Sequence, residues 1–143
     1  MSQAKADCEA LLNAAMPFAE QMLQRYREFF PFGSAMRASG EITAVAGHDG
    51  NEHPPSSEVI ALIKDGFIEA ARRNEFKATA LVHDVKIKSP SSGDTSDAIA
   101  VALDHRDDEY SVVIFFPYRL SKGELTLDPP FAQAGEGAIF GGS

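Results

Sequence analysis

Histidine and carboxylate side chains are concentrated in residues 48–53, which read HDGNEH. Imidazole nitrogen and carboxylate oxygen are ligands that zinc, nickel and copper accept in proteins. The sequence therefore offers a candidate metal site, with His48, Asp49, Glu52 and His53 as its ligands. A loop does not impose the fixed spacing that two histidines provide when they lie four residues apart on a helix, and no further distant ligand is evident. The alternative interpretation is a solvated polar loop.

A second His-Asp pair, His83-Asp84, repeats the dipeptide His48-Asp49. Such pairs occur in metal-dependent phosphohydrolases that are built from helices. His83 and Asp84 lie in a predicted strand instead, and neighbouring strand residues point to opposite faces of a sheet. We therefore expect that these two side chains do not converge on one ion.

Nucleophilic and nucleotide chemistry lack support in the sequence. Cys8 is the only cysteine, and its place on an apolar helical stripe predicts burial, whereas reactivity needs an accessible thiolate. Residues 105–107 spell the HRD of a protein-kinase catalytic loop, but the asparagine, strand lysine and glycine-rich cover that accompany it are missing, so we predict a hairpin turn. No nucleophile elbow or phosphate-binding glycine loop occurs. We predict no catalytic residue and no cofactor, which argues against an enzyme.

The charge balance restricts the classes of partner. The 143 residues carry a formal net charge of −8, which repels nucleic acid and anionic membrane surfaces. A single cysteine allows no intrachain disulfide, and neither a membrane span nor a targeting pattern is recognisable. We expect a cytoplasmic protein with no nucleic-acid or membrane partner.

Two segments have the apolar periodicity of amphipathic helices. Apolar residues at spacings of three and four predict a first helix over about residues 4–30, ended by Pro31 and kinked or broken at Pro17. A second helix is predicted from Ser56 or Ser57, either of which can cap it, to about Arg73.

Alternating or continuous apolar runs predict the strands. The Ser39-Gly40 turn predicts a hairpin over residues 35–46. Three main strands are predicted at about residues 76–88, 98–103 and 110–116, the last two joined by a turn at residues 105–109, with a possible edge strand at Leu125 and Leu127. The order α-β-β-α-β-β-β predicts an α+β fold, with two helices packed on one face of a mainly antiparallel sheet.

The length fits a single domain over residues 1–143. Its end is rich in glycine and has few residues to bury. We expect residues 132–143 to form a flexible glycine-rich tail unless Ile139 and Phe140 dock on the rest of the chain.

Residues 29–33, which read FFPFG, are followed by a short strand, the Ser39-Gly40 turn and Glu41-Ile42. This combination resembles the opening of a group of small bacterial α+β proteins, some of them similar to toxin-immunity proteins. The resemblance covers about the first third of the chain. It implies an architecture and transfers no catalytic residue.

Apolar residues exceed what two short helices would cover. Residues 98–103 are apolar at every position, which predicts a strand covered on both faces or packed at a subunit contact. Our first hypothesis is a non-catalytic protein-interaction module, a homodimer that also binds another protein. The alternative is a metal-dependent or small-molecule-binding enzyme that uses the loop from His48 to His53 at the mouth of a pocket between helix and sheet. A passive accessory domain of a larger assembly is the third interpretation.

Overall fold

The computed structural model describes residues 3–27, 29–46, 56–88, 93–107, 110–122, 124–137 and 139–140. These ranges form two helices and seven strands, which confirms the α+β class. In chain order they are α1 (Gln3–Tyr26), β1 (Phe32–Arg37), β2 (Ile42–Ala46), α2 (Ser56–Arg72), β3 (Phe76–Lys88), β4 (Thr95–His105), β5 (Ser111–Ser121), β6 (Glu124–Leu127) and β7 (Phe131–Ala134). Neither helix of the described ranges has the length and apolar character that a membrane-spanning helix needs.

All the strands belong to one sheet, in which every pair is antiparallel. Its order is β2-β1-β3-β4-β5-β6, and β7 pairs with another stretch of β5. The long strands β3, β4 and β5 form its centre, and β1 and β2 form the predicted hairpin. Strands β4 and β5 extend beyond their predicted ends, so His105, which was expected in a turn, is the last residue of β4.

Helix α1 ends at Tyr26, earlier than predicted, because Arg27 adopts a left-handed conformation with a φ of 63°. Of the kink or break predicted at Pro17, the break is wrong, since the helix runs through this residue; the kink stays a prediction. Pro17 cannot donate a hydrogen bond to the carbonyl of Asn13. Both residues are exposed, so water can satisfy that carbonyl.

The two helices lie on opposite faces of the sheet, and the prediction that both pack on one face is wrong. Side chains alternate along a strand. Ala80 and Val82 of β3 therefore pack in the core under α1, whereas Leu81 packs in the core under α2. The same alternation applies to β4. Residues 98–103 of this strand are apolar at every position, which is typical of a strand covered on both faces. Its Ile99, Val101 and Leu103 face α1, and Ala102 packs on the α2 side.

Helix α2 is held against β1 and β3 by Val59, Ile63 and Phe67, which are buried in one cluster with Leu81. The Phe67 ring lies directly over Gly33 of β1. A Cβ atom at Gly33 would be 2.7 Å from Phe67 Cζ, so only glycine leaves room for the ring. The close approach sets how near α2 lies to this end of the sheet.

The described part of residues 132–143 contributes to the fold. Strand β7 pairs with β5 from Val112 to Phe115. Ile139 is buried in the core under α2, and Phe140 packs against that core. The condition under which we expected order, docking of Ile139 and Phe140, is therefore met in the structure.

Candidate ligand cavity

A cavity of about 270 Å³ lies between α2 and the sheet face beneath it. Its floor includes Ala100 and Ala102 of β4, with Leu81 on one side and Val113 on the other. On the opposite face, β4 presents larger side chains to α1. Small alanine side chains on one face of β4 and branched side chains on the other therefore explain why α1 packs closely against the sheet while space remains under α2.

The walls of the cavity come from α2 and from the end of the chain. Ile60 and Lys64 lie one helical turn apart on α2 and line the same side as Phe67. The segment from Gln133 to Gly137 lines the other side. Phe115 and Phe131 stack with ring centroids 5.2 Å apart where β7 joins the sheet. Residues 133–137, which belong to the segment predicted to form a flexible glycine-rich tail, thus form part of one wall.

One end of the cavity is acidic. Ser111 Oγ donates a hydrogen bond of 2.8 Å to Asp104 Oδ1 and accepts one of 3.1 Å from the Gly137 backbone N–H. Burial raises the pKa of the Asp104 carboxyl; the Ser111 hydrogen bond and the Lys64 charge oppose this shift, and the charge of Glu136 adds to it. Glu136 also lines the cavity, so two carboxyl groups stand at this end.

Gly135 allows the terminal segment to reach this acidic end. Its backbone N–H donates a 3.0 Å hydrogen bond to the Ser111 carbonyl. A Cβ atom on Gly135 would collide with Ser111 Oγ. The glycine therefore lets the chain pass close enough to Ser111 for the Gly137 hydrogen bond to form.

The other end of the cavity carries His83, and Lys64 lies within electrostatic reach of both ends. His83 of β3 and Lys64 of α2 are both half-buried and both line the space. Burial lowers the pKa of the His83 imidazole, and the positive charge of Lys64 lowers it further. Within the described ranges, neither side chain has a hydrogen-bond or salt-bridge partner. A neutral imidazole and an ammonium group thus face the cavity with their polar atoms available.

The two ends are separated along β3. Thr79 is the register partner of Asp104, and His83 follows Thr79 by four residues on the same strand. At a rise of about 3.3 Å per residue, the ends lie about 13 Å apart. Asp104 and His83 therefore cannot act together as a hydrogen-bonded acid–base pair, and the apolar floor lies between them.

A second polar group lies on the α1 side of the sheet. His105 Nε2 and Asp7 Oδ2 are 2.8 Å apart, and Lys77 Nζ is 3.3 Å from the same oxygen. The Asp107 backbone N–H donates to His105 Nδ1, so Nε2 carries the proton and donates to Asp7. Gln3 donates to the other carboxylate oxygen at 2.8 Å. The His105 side chain has no exposed surface, so this group ties α1 to the sheet and is closed to substrate.

Cys8 lies beside this group and is fully buried. Burial raises the pKa of its thiol to about 12, with further contributions from the charges of Asp104 and Asp7. The predicted burial of Cys8 is confirmed. Its raised pKa opposes formation of the thiolate that nucleophilic chemistry requires.

His83 and Asp84 point to opposite faces, as predicted from their strand. His83 lines the cavity under α2. Asp84 accepts a 2.8 Å hydrogen bond from the hydroxyl of Tyr118, which belongs to the core under α1. Burial raises the pKa of the Tyr118 hydroxyl, and the Asp84 carboxylate raises it further. The pair does not form a joint metal site.

The predicted metal ligands His48, Asp49, Glu52 and His53 lie outside the described residues. Among the residues that are described, no three His, Cys, Asp or Glu side chains are grouped as metal ligands would be. Sequence reasoning missed the cavity residues Lys64 and Asp104. The available signal was the alternation of alanine with larger residues over 98–103, which indicates a face with unfilled space.

Comparisons with known protein families, with curated proteins and with solved structures found no match. The resemblance to small bacterial α+β proteins, some similar to toxin-immunity proteins, therefore stays a prediction.

Proposed function

We propose that this protein binds a small, largely apolar molecule in the cavity between α2 and the sheet. The observation that carries the proposal is the combination of an apolar floor with polar groups confined to its two ends. Ligand sites are mostly apolar concave spaces in which a few polar groups fix the orientation of the ligand. Leu81, Ala102 and Val113 supply the apolar surface, and His83 and Asp104 mark the ends.

The size of the cavity limits the ligand. A space of about 270 Å³ is close to the lower end of the range for small-molecule sites, about 300–1,000 Å³. A compact molecule of about ten non-hydrogen atoms fits this space.

Titration with hexan-1-ol, followed by backbone amide chemical shifts, tests the proposal. We expect saturable shifts at Leu81, Ala102 and Val113. The variant Ala102→Leu should weaken binding at least about tenfold because the added carbons fill the floor. Ala132→Leu is the matched control, since Ala132 is exposed and does not line the cavity. Absence of saturable shifts in the wild-type protein would reject small-molecule binding here, whatever the variants do.

The second candidate function is protein binding through a homodimer. Aromatic side chains near the end of α1 and the beginning of β1 are exposed: Phe18 by 47%, Phe30 by 50% and Tyr26 by 61%. Phe18 also contacts Phe32 edge to face at 4.8 Å. Contiguous exposed apolar surface is typical of binding sites.

A second copy of the chain suits this region because β2 lies next to it at the edge of the sheet. Residues 42–46 contain neither a charged residue nor proline, the usual protection of an edge strand. Two copies of β2 can pair antiparallel about a two-fold axis. Sedimentation equilibrium of the wild-type protein and of Thr43→Lys tests this. A wild-type dimer that Thr43→Lys converts to a monomer supports the function. A wild-type protein that is still monomeric at 100 µM, on the order of a weak dimer's Kd, rejects it.

A further inference from the structure

The charges around the cavity distinguish its two ends. His83 supplies a hydrogen-bond donor at one end, and the Lys64 ammonium is close enough to act electrostatically on both His83 and Asp104; neither side chain forms a hydrogen bond or salt bridge within the described ranges. Asp104 and Glu136 place carboxyl oxygens at the other end, where Ser111 already donates to Asp104. A ligand with one polar head is therefore oriented by the sign of that head.

We propose that the ligand of this cavity is a small carboxylic acid, whose carboxylate is bound by Lys64 and His83 and whose apolar body lies on Leu81, Ala100 and Ala102. This inference rests on the proposed small-molecule function and specifies its ligand class. The Lys64 ammonium donates to one carboxylate oxygen and provides the countercharge. The ring N–H of the neutral His83 imidazole donates to the other carboxylate oxygen.

Burial makes this arrangement specific for an anion. A hydrogen bond to a charged group contributes about twice as much as a neutral one. Lys64 is half-buried, so an anion beside it gains more than it would from an exposed lysine. An alkylammonium head would be repelled by Lys64 and would have to lie at the Asp104 end, where Ser111 and the Gly137 backbone already occupy part of the hydrogen-bonding capacity.

The orientation also agrees with the shape of the cavity. The apolar floor lies between the two ends, over about 13 Å of β3. A carboxylate at the His83 end leaves a chain of about five carbons beyond the carboxyl carbon on the alanine floor, which ends before the acidic groups. Straight-chain hexanoate is therefore the probe that the geometry fits.

Three probes that differ only in their head group test the inference: hexanoate, hexan-1-ol and hexylamine, each titrated at pH 7 and followed by amide chemical shifts. We expect hexanoate to bind about tenfold more tightly than hexan-1-ol, because it gains charged hydrogen bonds. Hexylamine should bind no more tightly than the alcohol. Equal affinity for acid and alcohol, or a preference for the amine, overturns the carboxylate inference and leaves small-molecule binding standing. If none of the three binds, both proposals fail.

Variants locate the head group. Lys64→Met keeps the length of the side chain and removes its charge, so it should abolish the advantage of hexanoate while the affinity for hexan-1-ol changes less than about twofold. Arg72→Met is the matched control, because it removes a positive charge from an exposed position on the same helix. Retention of the tenfold preference in Lys64→Met, or its loss in Arg72→Met, overturns the assignment of the carboxylate to Lys64.

Discussion

Asp7 on α1 and His105 at the end of β4 are joined by a 2.8 Å hydrogen bond across 98 positions of the chain. Both side chains are buried, and Lys77 of β3 contacts the same carboxylate oxygen. The three residues connect the beginning of the first helix to two central strands. These polar contacts tie α1 to the sheet in addition to the apolar core next to them.

Replacement of Asp7 by alanine is expected to destabilise the fold by about 3 kcal/mol, because it leaves the Lys77 ammonium and the His105 N–H without their acceptor. Glu9→Ala is the control, since Glu9 is an exposed carboxylate on the same helix, and it should change the free energy of unfolding by less than about 0.5 kcal/mol. Urea unfolding measures both. Equal effects of the two substitutions would show that the Asp7 contacts contribute nothing specific.

The Asp7 contribution should also depend on pH. Burial alone would raise the pKa of the Asp7 carboxyl, but hydrogen bonds from His105, Gln3 and Lys77, with the Lys77 charge, hold it below its usual value. A carboxyl whose folded pKa is lowered stabilises the protein above its unfolded pKa of about 3.9, and this stabilisation is lost as the pH falls through the folded pKa. The destabilisation by Asp7→Asn should therefore be largest near neutral pH and shrink in acid. A pH-independent difference in urea unfolding would contradict this linkage.

Asp104→Asn is expected to show the opposite pH dependence. Burial raises the pKa of Asp104 in the folded protein, despite the Ser111 hydrogen bond and Lys64. The folded state then binds more protons than the unfolded state, so this group lowers stability as the pH rises from its unfolded pKa, about 3.9, through its raised folded pKa. Asparagine cannot ionise, and its amide oxygen still accepts from Ser111.

The stability of Asp104→Asn relative to the wild type should therefore rise from pH 4 to pH 7, a range that begins at about the unfolded pKa of aspartate. Urea unfolding at several pH values measures the difference. Because Asp7→Asn must show the reverse trend over the same range, the two variants control for general effects of pH on the protein. A falling relative stability of Asp104→Asn would mean that its carboxyl is stabilised, not destabilised, in its charged form.

The fold could be predicted largely from local patterns. Strand β3 has its predicted ends, residues 76 and 88, although residues 78–82 are buried in succession and interrupt its alternation. The placement of the helices could not be predicted in the same way, since either helix has an apolar stripe that fits either face. The side of each helix is decided by the packing of Ala80 under α1 and of Leu81 under α2. That packing depends on the spatial order of strands that are distant in sequence.

The candidate site was less accessible to sequence reasoning than the fold. His83 was considered only together with its neighbour Asp84, and His105 only as part of a turn. Lys64 and Asp104 come from separate elements and line one cavity only because α2 packs on the face of the sheet that carries Asp104. Chemistry that is assembled from single residues on different elements leaves no spacing motif in the chain.

Cys8 should be almost unreactive toward 5,5′-dithiobis(2-nitrobenzoate) in the folded protein. Its pKa is raised from 9.0 to about 12, first by burial and then by the charges of Asp104 and Asp7, which lowers the thiolate fraction about a thousandfold at pH 8. Since the chain has one cysteine, the absorbance of the released thiolate reports this position alone. Reaction in urea should be fast. A native rate comparable with the unfolded rate would contradict the burial of Cys8 between α1 and the sheet.

Gly33→Ala should destabilise the protein by about 1–3 kcal/mol, the usual effect of adding a carbon to a tightly packed interior. The new Cβ would lie 2.7 Å from Phe67 Cζ and 3.2 Å from both the Ala80 carbonyl oxygen and Ile63 Cγ2. Phe67 is buried, so its ring cannot turn outward to make room.

Gly66→Ala on α2 is the matched control for the same chemical change. A Cβ at Gly66 meets nothing within 4 Å, and alanine in a helix interior is favoured over glycine by about 1 kcal/mol, so this variant should be more stable than the wild type. Adding Phe67→Leu to Gly33→Ala should cost less than the sum of the two single substitutions, because leucine vacates the space that the ring occupies. Thermal or urea unfolding of the four variants measures this coupling between positions 33 and 67. If the free-energy changes of the two substitutions simply add, the Phe67 ring is not the reason why residue 33 is glycine.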